Sequence, residues 1–227
     1  MKQFPGYTYQ KEILSLKTML IAGAKGFAKQ LLDVIYQLKL ENETRFFDDL
    51  DENIHQLYQF RVIKSLPDAR QFFEQTGPEF SLGIGKPSVR KLLTEKLTGA
   101  GGVLTSVISP FARIAPHAQV GKGCTIMTGA VVENDAVLGK GVLVNLNALI
   151  CHDSVVGDFC EISPGVILTG GTSIGDYSFV GAGAIINPGI KIGSNVIIGS
   201  GAVVLRDVPD SVKVYGVPAR GGKVNEP

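Results

Sequence analysis

The chain of 227 residues holds three histidines, His55, His117 and His152, and three cysteines, Cys124, Cys151 and Cys160. An imidazole with an ordinary pKa of about 6.5 is largely neutral at physiological pH and suits a general base. Cys151 beside His152 offers a second chemistry, a thiolate activated by a base. Neighbouring side chains in extended chain point to opposite faces, which makes that the weaker reading. The cysteines are odd in number and lack disulfide or metal-ligand spacing, so they read as reduced thiols. A second chemical cluster lies near the start, where Gly23-Ala24-Lys25-Gly26 precedes Lys29, and Asp48-Asp49 follows later. A glycine turn into a helix lets backbone approach a phosphate, and the helix N-terminus attracts one. Lys25 and Lys29 would add positive charge, and the aspartates could accept hydrogen bonds from a base or ribose. Plainer readings stay open: Gly23-x-x-Gly26 falls short of G-x-G-x-x-G, and Asp48-Asp49 also suits a solvated turn. Gly83 and Gly85 share the ambiguity, as strand-end packing or as the wall of a site.

A repeat of six must position His152. Every sixth residue from Ile114 to Val204 is Ile, Val or Leu, sixteen positions without a slip. Helices repeat near 3.6 and strands at 2. A period of six instead fits a triangular solenoid with one inward aliphatic side chain per face. Variable loops in a β-sandwich would break this register. Val120-Gly121, Leu138-Gly139, Val156-Gly157, Ile174-Gly175 and Ile192-Gly193 recur at every third hexad, so positions three hexads apart should stack along the axis. Glycine after the inward residue is expected to supply a positive φ at a tight corner. His152 and Gly170 differ by 18 (170 − 152), three hexads, and should be axial neighbours, one strand spacing of about 4.8 Å apart. Gly170-Gly171 then interrupts the side-chain wall beside the imidazole. Bare backbone there could admit a substrate and offer an N–H to an oxyanion, or could be no more than a corner glycine pair.

The first half alternates strand and helix. Strands are expected at 18–22, 45–47, 62–63, 80–85 and 103–108, and helices at 27–40, 66–76 and 87–97, the last opened by Pro87. That pattern implies a small Rossmann-like parallel sheet between helices, with ligands beyond the carboxyl ends of its strands. The fold class is therefore α/β followed by β-solenoid. The expected division is an N-terminal extension at 1–17, a sheet domain at 18–108, a β-helix at 109–209 and a tail at 210–227. A net charge of +1 predicts no nucleic-acid partner. No apolar run approaches the length that crosses a bilayer, so no membrane span is expected. The start lacks the core of a signal peptide, and the chain reads as cytoplasmic.

The glycine turn, Phe46-Phe47-Asp48-Asp49, the hexads, Ile150-Cys151-His152-Asp153-Ser154-Val155-Val156-Gly157 and the closing Gly216-Val217-Pro218-Ala219-Arg220 together resemble one family. It is the left-handed parallel β-helix sugar acetyltransferases of the sialic acid O-acetyltransferase family, which includes N-acetyltransferases of UDP-linked 4-amino-4,6-dideoxy sugars. The resemblance runs from about Lys17 to Arg220. It implies an acetyl-CoA-dependent N-acetyltransferase without a metal, a homotrimer with acetyl-CoA between adjacent solenoids, and a nucleotide-sugar held largely by the N-terminal domain. It implies His152 as general base with Asp153 beside it, where many relatives have Glu. It also implies the Gly170 N–H as oxyanion donor, Asn145 on the sugar, and Pro218 and Arg220 near the CoA. Relatives often carry a second His nine residues after the first, near the acetyl group; this chain has Glu161 there, which the resemblance places among the CoA-binding residues. The glycine turn has Lys25 and Phe27 where Gly and His are common. Gly181-Ala182-Gly183-Ala184 and Gly199-Ser200-Gly201-Ala202, again three hexads apart, form a small-residue face for the pantetheine arm or for a neighbouring subunit.

Acetyl transfer needs a base and an oxyanion donor but no metal, since the thioester is already activated. His117 at the solenoid entrance and His55 in a polar loop are the lesser candidates for the base. O-acetylation of a sialic acid or related sugar would use the same base and cosubstrate and is the alternative. A zinc site of carbonic anhydrase type needs three histidines. His117 and His152 are 35 apart (152 − 117), which is not a multiple of 18. A binding or scaffold protein without activity is the remaining class, prompted by Glu161.

Overall fold

The computed structural model describes residues 19–221. The expected extension at 1–17 lies outside the described residues, as do 222–227 of the tail. The first domain runs β1 (Met19–Ala22), α1 (Gly26–Gln37), β2 (Thr44–Phe47), β3 (Gln56–Leu57), β4 (Phe60–Ile63), α2 (Leu66–Thr76), β5 (Glu79–Leu82), α3 (Pro87–Gly99) and β6 (Val103–Leu104). The sheet order is β3-β4-β2-β1-β5-β6. All pairs are parallel except β3 with β4. The chain leaves β1 for β2 on one side and β5 on the other, so the topological switch point lies between β1 and β5. β1 is buried along its whole length, as a central strand covered on both faces must be.

Four elements differ from expectation. The strand expected at 80–85 ends at Leu82, where Gly83 packs against Ile21 and Ala28. α1 ends at Gln37 and not at residue 40, because Lys39 takes a left-handed φ of 58° and turns Leu40 back to bond the Ile35 carbonyl. The short strand at 62–63 is half of a hairpin, β3–β4, whose turn carries Tyr58 at φ 52°. The single strand at 103–108 is two: β6 closes the first sheet, whereas Val107–Ile108 pairs with Thr125–Ile126. The solenoid therefore begins one hexad earlier, at Ile108.

From there the chain forms a left-handed parallel β-helix with three sheets as its faces. Face 1 starts at Val107–Ile108, face 2 at Arg113–Ile114 and face 3 at Gln119–Val120. Each short strand pairs with its counterpart one full coil on, as Val131–Val132 does with Leu149–Ile150 and these with Ile167–Leu168. The inward hexad residues are buried from Val120 to Val204; Ile114, in the first coil, is only partly covered. The last coil is two residues shorter than three hexads, since Ile197 pairs with Lys213 (213 − 197 = 16) and Ile192 bridges Val208 (208 − 192 = 16).

The corner glycines serve a purpose different from the expected one. Gly121, Gly139, Gly157, Gly175 and Gly193 have no positive φ. They are needed because coils approach closely there. A Cβ on Gly139 would lie 2.8 Å from the Gly157 carbonyl carbon, and one on Gly175 would lie 2.5 Å from the Ser194 nitrogen. The left-handed residues come two positions later, at Gly123, Gly141, Phe159, Tyr177 and Asn195. Phe159 and Tyr177 are bulky for that conformation. Their rings stack at 6.0 Å and 5°, with Lys140 and Lys91 over them at 5.9 and 5.3 Å.

The first domain sits on face 1. Leu31 and Ile35 of α1 share a buried cluster with Val107, Met127 and Leu143, and Phe159 joins Phe73, Leu82 and Leu97. Arg90 of α3 pins the two domains together. It is fully buried and donates to the carbonyls of Leu82 (3.3 Å) and Ile84 (2.7 Å) on one side, and to Gly141 O (3.0 Å) and Thr125 Oγ1 (3.3 Å) on the other. Burial lowers its pKa to about 10, which leaves it charged at neutral pH. Removing the guanidinium strands buried acceptors, so Arg90→Met should cost about 2 kcal/mol and lower Tm by roughly 4–8 °C in a thermal melt. An unchanged Tm would show that these bonds do not hold the domains together.

Candidate active site

His152 stands at the corner between face 2 and face 3. The strand Leu149–Ile150 runs into Cys151, His152 and Asp153, and Asp153 takes a left-handed φ of 60°, which Asp tolerates better than most residues. That turn brings its carboxylate back onto its neighbour, with Oδ2 2.7 Å from His152 Nδ1. Both side chains are 65% exposed. Beneath the corner, buried Thr172 donates to Ser154 Oγ (3.1 Å), and Ser154 donates to the Thr169 carbonyl (3.2 Å). The His152 amide donates to Glu133 Oε2 at 3.0 Å. With Nδ1 engaged as donor to a carboxylate, the neutral ring presents Nε2 as its free lone pair.

The imidazole lies over Gly170. A Cβ at that position would sit 2.6 Å from both Nε2 and Cε1 of His152. Any side chain at 170 would displace the ring. The Gly170 N–H donates no hydrogen bond among the described residues, whereas the Gly171 N–H is taken by the His152 carbonyl at 2.9 Å. The corner thus joins a basic nitrogen, a carboxylate that fixes its tautomer, and an unspent backbone donor. The hydrogen bond to Asp153 raises the His152 pKa above its usual 6.5; desolvation opposes it, and the charges of Asp153 and Glu133 add smaller upward pulls. Burial, then Glu133, pushes the Cys151 thiol up, opposite to what a nucleophile requires.

Other candidates lie on other edges. Asn145 is buried at the corner between faces 1 and 2, where its Oδ1 accepts from the Leu146 amide at 2.8 Å. Gly181 and Gly199 belong to the same column, with Ala182 exposed beside them. A Cβ on Gly181 would meet Ser200 N at 2.6 Å and one on Gly199 would meet Tyr215 Cβ at 2.8 Å, so coil packing alone demands small residues there. Glu161 lies on face 1, in a 630 Å³ cleft under the start of α3. Pro218 and Arg220 line a separate 620 Å³ cavity at the lower end of the solenoid, with Arg206. His55 and His117 are exposed and share no cluster with His152; among the described residues no group of three potential ligands could hold a metal.

At the switch point, Gly23 has φ 107° and its amide donates to the Phe47 carbonyl at 2.7 Å. A Cβ on it would come within 2.9 Å of the Gly83 carbonyl oxygen, so glycine is needed for both reasons. Gly26 opens α1 with free space around it. Lys25 pairs with Asp51 at 2.8 Å, which raises the lysine pKa and lowers that of the carboxyl. Asp48 Oδ1 accepts from the Leu50 and Asp51 amides at 3.1 Å each, and Asp49 pairs with Lys96. All five residues gather at one sheet end, but the charged ones already have partners. Sequence reasoning missed Asp51 and Glu133. Glu133 stands three hexads before Cys151 (151 − 133), so the coil period held its signal.

The PglD N-terminal domain matches residues 18–97, and the bacterial transferase hexapeptide (six repeats) matches residues 171–206. The acetyltransferase domain of PglB from Neisseria gonorrhoeae FA1090 is 32% identical, with a TM-score of 0.83 over 91% of this chain and 100% of that one. It has also been solved in complex with acetyl coenzyme A. PerB from Caulobacter crescentus, in complex with CoA and GDP-perosamine, is 29% identical at a TM-score of 0.84, over 92% and 99%. WeeI from Acinetobacter baumannii AYE is 27% identical at 0.81, over 90% and 99%. A search of curated protein sequences finds no match.

The site geometry predicts its own titration. NMR of the His152 ring should give a pKa above 6.5, and Asp153→Asn should bring it down, since the leading cause of the rise is the Asp153 contact. A ring pKa that ignores this substitution would mean that the contact does not persist in solution.

Proposed function

This chain belongs to the left-handed β-helix sugar acetyltransferases and transfers acetyl from acetyl-CoA to an amino sugar; on that premise we propose that the acceptor is nucleotide-linked, a UDP-4-amino-4,6-dideoxy sugar, with His152 as general base. The observation that carries the role of His152 is its Nε2 face lying over the bare backbone of Gly170. The neutral amine attacks the thioester carbonyl, and its N–H proton passes to His152 Nε2. Asp153 stabilises the imidazolium that results, and the Gly170 N–H donates to the oxyanion. Collapse expels the thiolate, which takes up the proton. The acetyl group has moved from sulfur to nitrogen, and CoA leaves as the thiol. The N-acetyl chemistry of the Caulobacter relative favours nitrogen over oxygen as acceptor.

The two domains divide the work. Residues 18–108 hold the nucleotide at the β1/β5 switch point through Gly23, Lys25, Gly26, Asp48 and Asp49, and 109–209 perform the transfer. The Lys25–Asp51 and Lys96–Asp49 pairs leave phosphate binding to the α1 N-terminus and to an opened ion pair. Gly181, Ala182, Gly199, Pro218 and Arg220 take the CoA. A homotrimer reconciles positions that a single chain keeps apart. Asn145 and Glu161 belong to the same two coils as His152 and Gly170 but sit on other sides of the prism, Asn145 at the edge between faces 1 and 2 and Glu161 on face 1. A threefold axis parallel to the solenoid sets one protomer's base edge beside the next protomer's sugar edge. Among the described residues no helix is long and apolar enough to cross a membrane, and we place the enzyme in the cytoplasm, making sugars for bacterial surface glycans or glycoproteins.

Incubation with acetyl-CoA and a panel of UDP-, GDP- and dTDP-linked amino sugars, followed by thiol release and product mass, tests the reading; release with none of them would reject it. His152→Ala should lower kcat by about 10²- to 10⁴-fold with CoA binding intact. Gly170→Ala should lower kcat at an unchanged Tm, since its methyl displaces only a side-chain tip. The rate should fall with falling pH through the raised His152 pKa, because protonation removes the base; retained kcat in the alanine variant would reject His152.

A further inference from the structure

The outward positions of face 1 trace the edge of the first domain. Val107, Thr125 and Leu143 are buried beneath it, and Ile197 is exposed. Glu161 is the first outward residue past that edge, at the floor of the 630 Å³ cleft, with Lys86 and Lys91 on the α3 wall and Tyr177, Phe179 and Asn195 below.

Its carboxylate feels the charge of Arg90 and shares the cleft with Lys86 and Lys91, and none of the three closes on it. Arg90 directs its donors to Leu82, Ile84, Gly141 and Thr125. Lys91 lies over the Tyr177 ring and 3.8 Å from Glu95. Lys86 makes no ion pair among the described residues. Glu161 accepts one hydrogen bond, from the Ser163 hydroxyl to Oε1 at 3.3 Å. Oε2 accepts none among the described residues, yet it is not a sealed atom. Desolvation outweighs the pull of Arg90 and Ser163 and holds the carboxyl above its usual range. A carboxylate in this condition gains from a cation delivered by a ligand.

The cleft also meets the switch point. A Cβ on Gly85 would lie 2.7 Å from Glu161 Oε2, and Gly85 is two residues past Gly83, which faces Gly23. The cleft of Glu161, Lys86 and Lys91 thus adjoins the end of β5 that borders the switch point, within reach of the sugar of a nucleotide held there.

We infer that Glu161 recognises the ammonium of the acceptor, and so selects an amine over a hydroxyl at the reacting position. This rests on the nucleotide-linked amino sugar reading above. The carboxylate holds the charged amine, which gives up one proton to solvent before it attacks; a second passes to His152 Nε2 as the C–N bond forms. Glu161 is thus a specificity residue that leaves the thioester chemistry to His152.

The test uses two probes: the panel amino sugar nucleotide that the wild-type enzyme turns over, and its counterpart with hydroxyl in place of the amine, read as a competitive inhibitor. Glu161→Gln keeps the side chain's shape. The KM for the amino sugar should rise roughly 10- to 100-fold. The inhibition constant of the hydroxyl counterpart should shift by less than about twofold, with the acetyl-CoA KM and Tm unchanged. Unchanged amino-sugar KM, or equal weakening of both probes, overturns the assignment and leaves Glu161 as a structural counter-charge for Arg90. A wild-type enzyme inactive on the whole panel overturns instead the functional reading beneath it.

Discussion

Axial stacking at every third hexad is the constraint on which the rest of the molecule depends. One aliphatic side chain per face points inward, and the coil closes only if each hexad keeps its length. Every outward position then sits directly over its counterpart in the next coil. A reactive group therefore acquires its axial neighbour from the repeat itself. His152 rests over Gly170 because Ile150 and Leu168 pair in face 2 beneath them. No loop has to be ordered to create that contact, which suits a site in need of preorganisation.

The N-terminal domain is fixed to this scaffold by contacts of a different kind. Apolar residues of α1 cover the upper coils of face 1. Arg90 then reaches through, bonding carbonyls on both sides of the junction. The stacked Phe159 and Tyr177 place large rings at corner positions where the neighbouring coils have Gly141 and Asn195. That exchange of small for large residues at equivalent corners is how a regular repeat accommodates an irregular neighbour. The cleft over Glu161 forms where this coverage stops.

Much of this was legible because the hexad is a strict period. The solenoid, its inward residues and the nearness of positions 152 and 170 follow from counting. The reason for the corner glycines did not, since a sequence position does not reveal whether close approach or positive φ excludes a side chain. The β3–β4 hairpin was missed because Tyr58-Gln59 lacks the usual Asn-Gly signal. Arg90 reads in sequence as a surface residue of an amphipathic helix; only the docking of α3 onto the solenoid buries it. The separation of Asn145 and Glu161 from His152 onto other sides of the prism is likewise a matter of three-dimensional placement. The same period gives their coil but not their partner.

A stack of parallel strands ends, by its nature, in unpaired peptide groups, and another copy could add its own rungs there as fibrils do. The shortened last turn answers this hazard. Having lost two residues, it offers an incoming coil no register that matches three faces at once, and the chain then doubles back, with Tyr215 and Val214 paired antiparallel to Arg220 and Gly221. That antiparallel turn covers the edge of face 1 at the prism's base, so that an incoming coil finds no parallel edge to extend there.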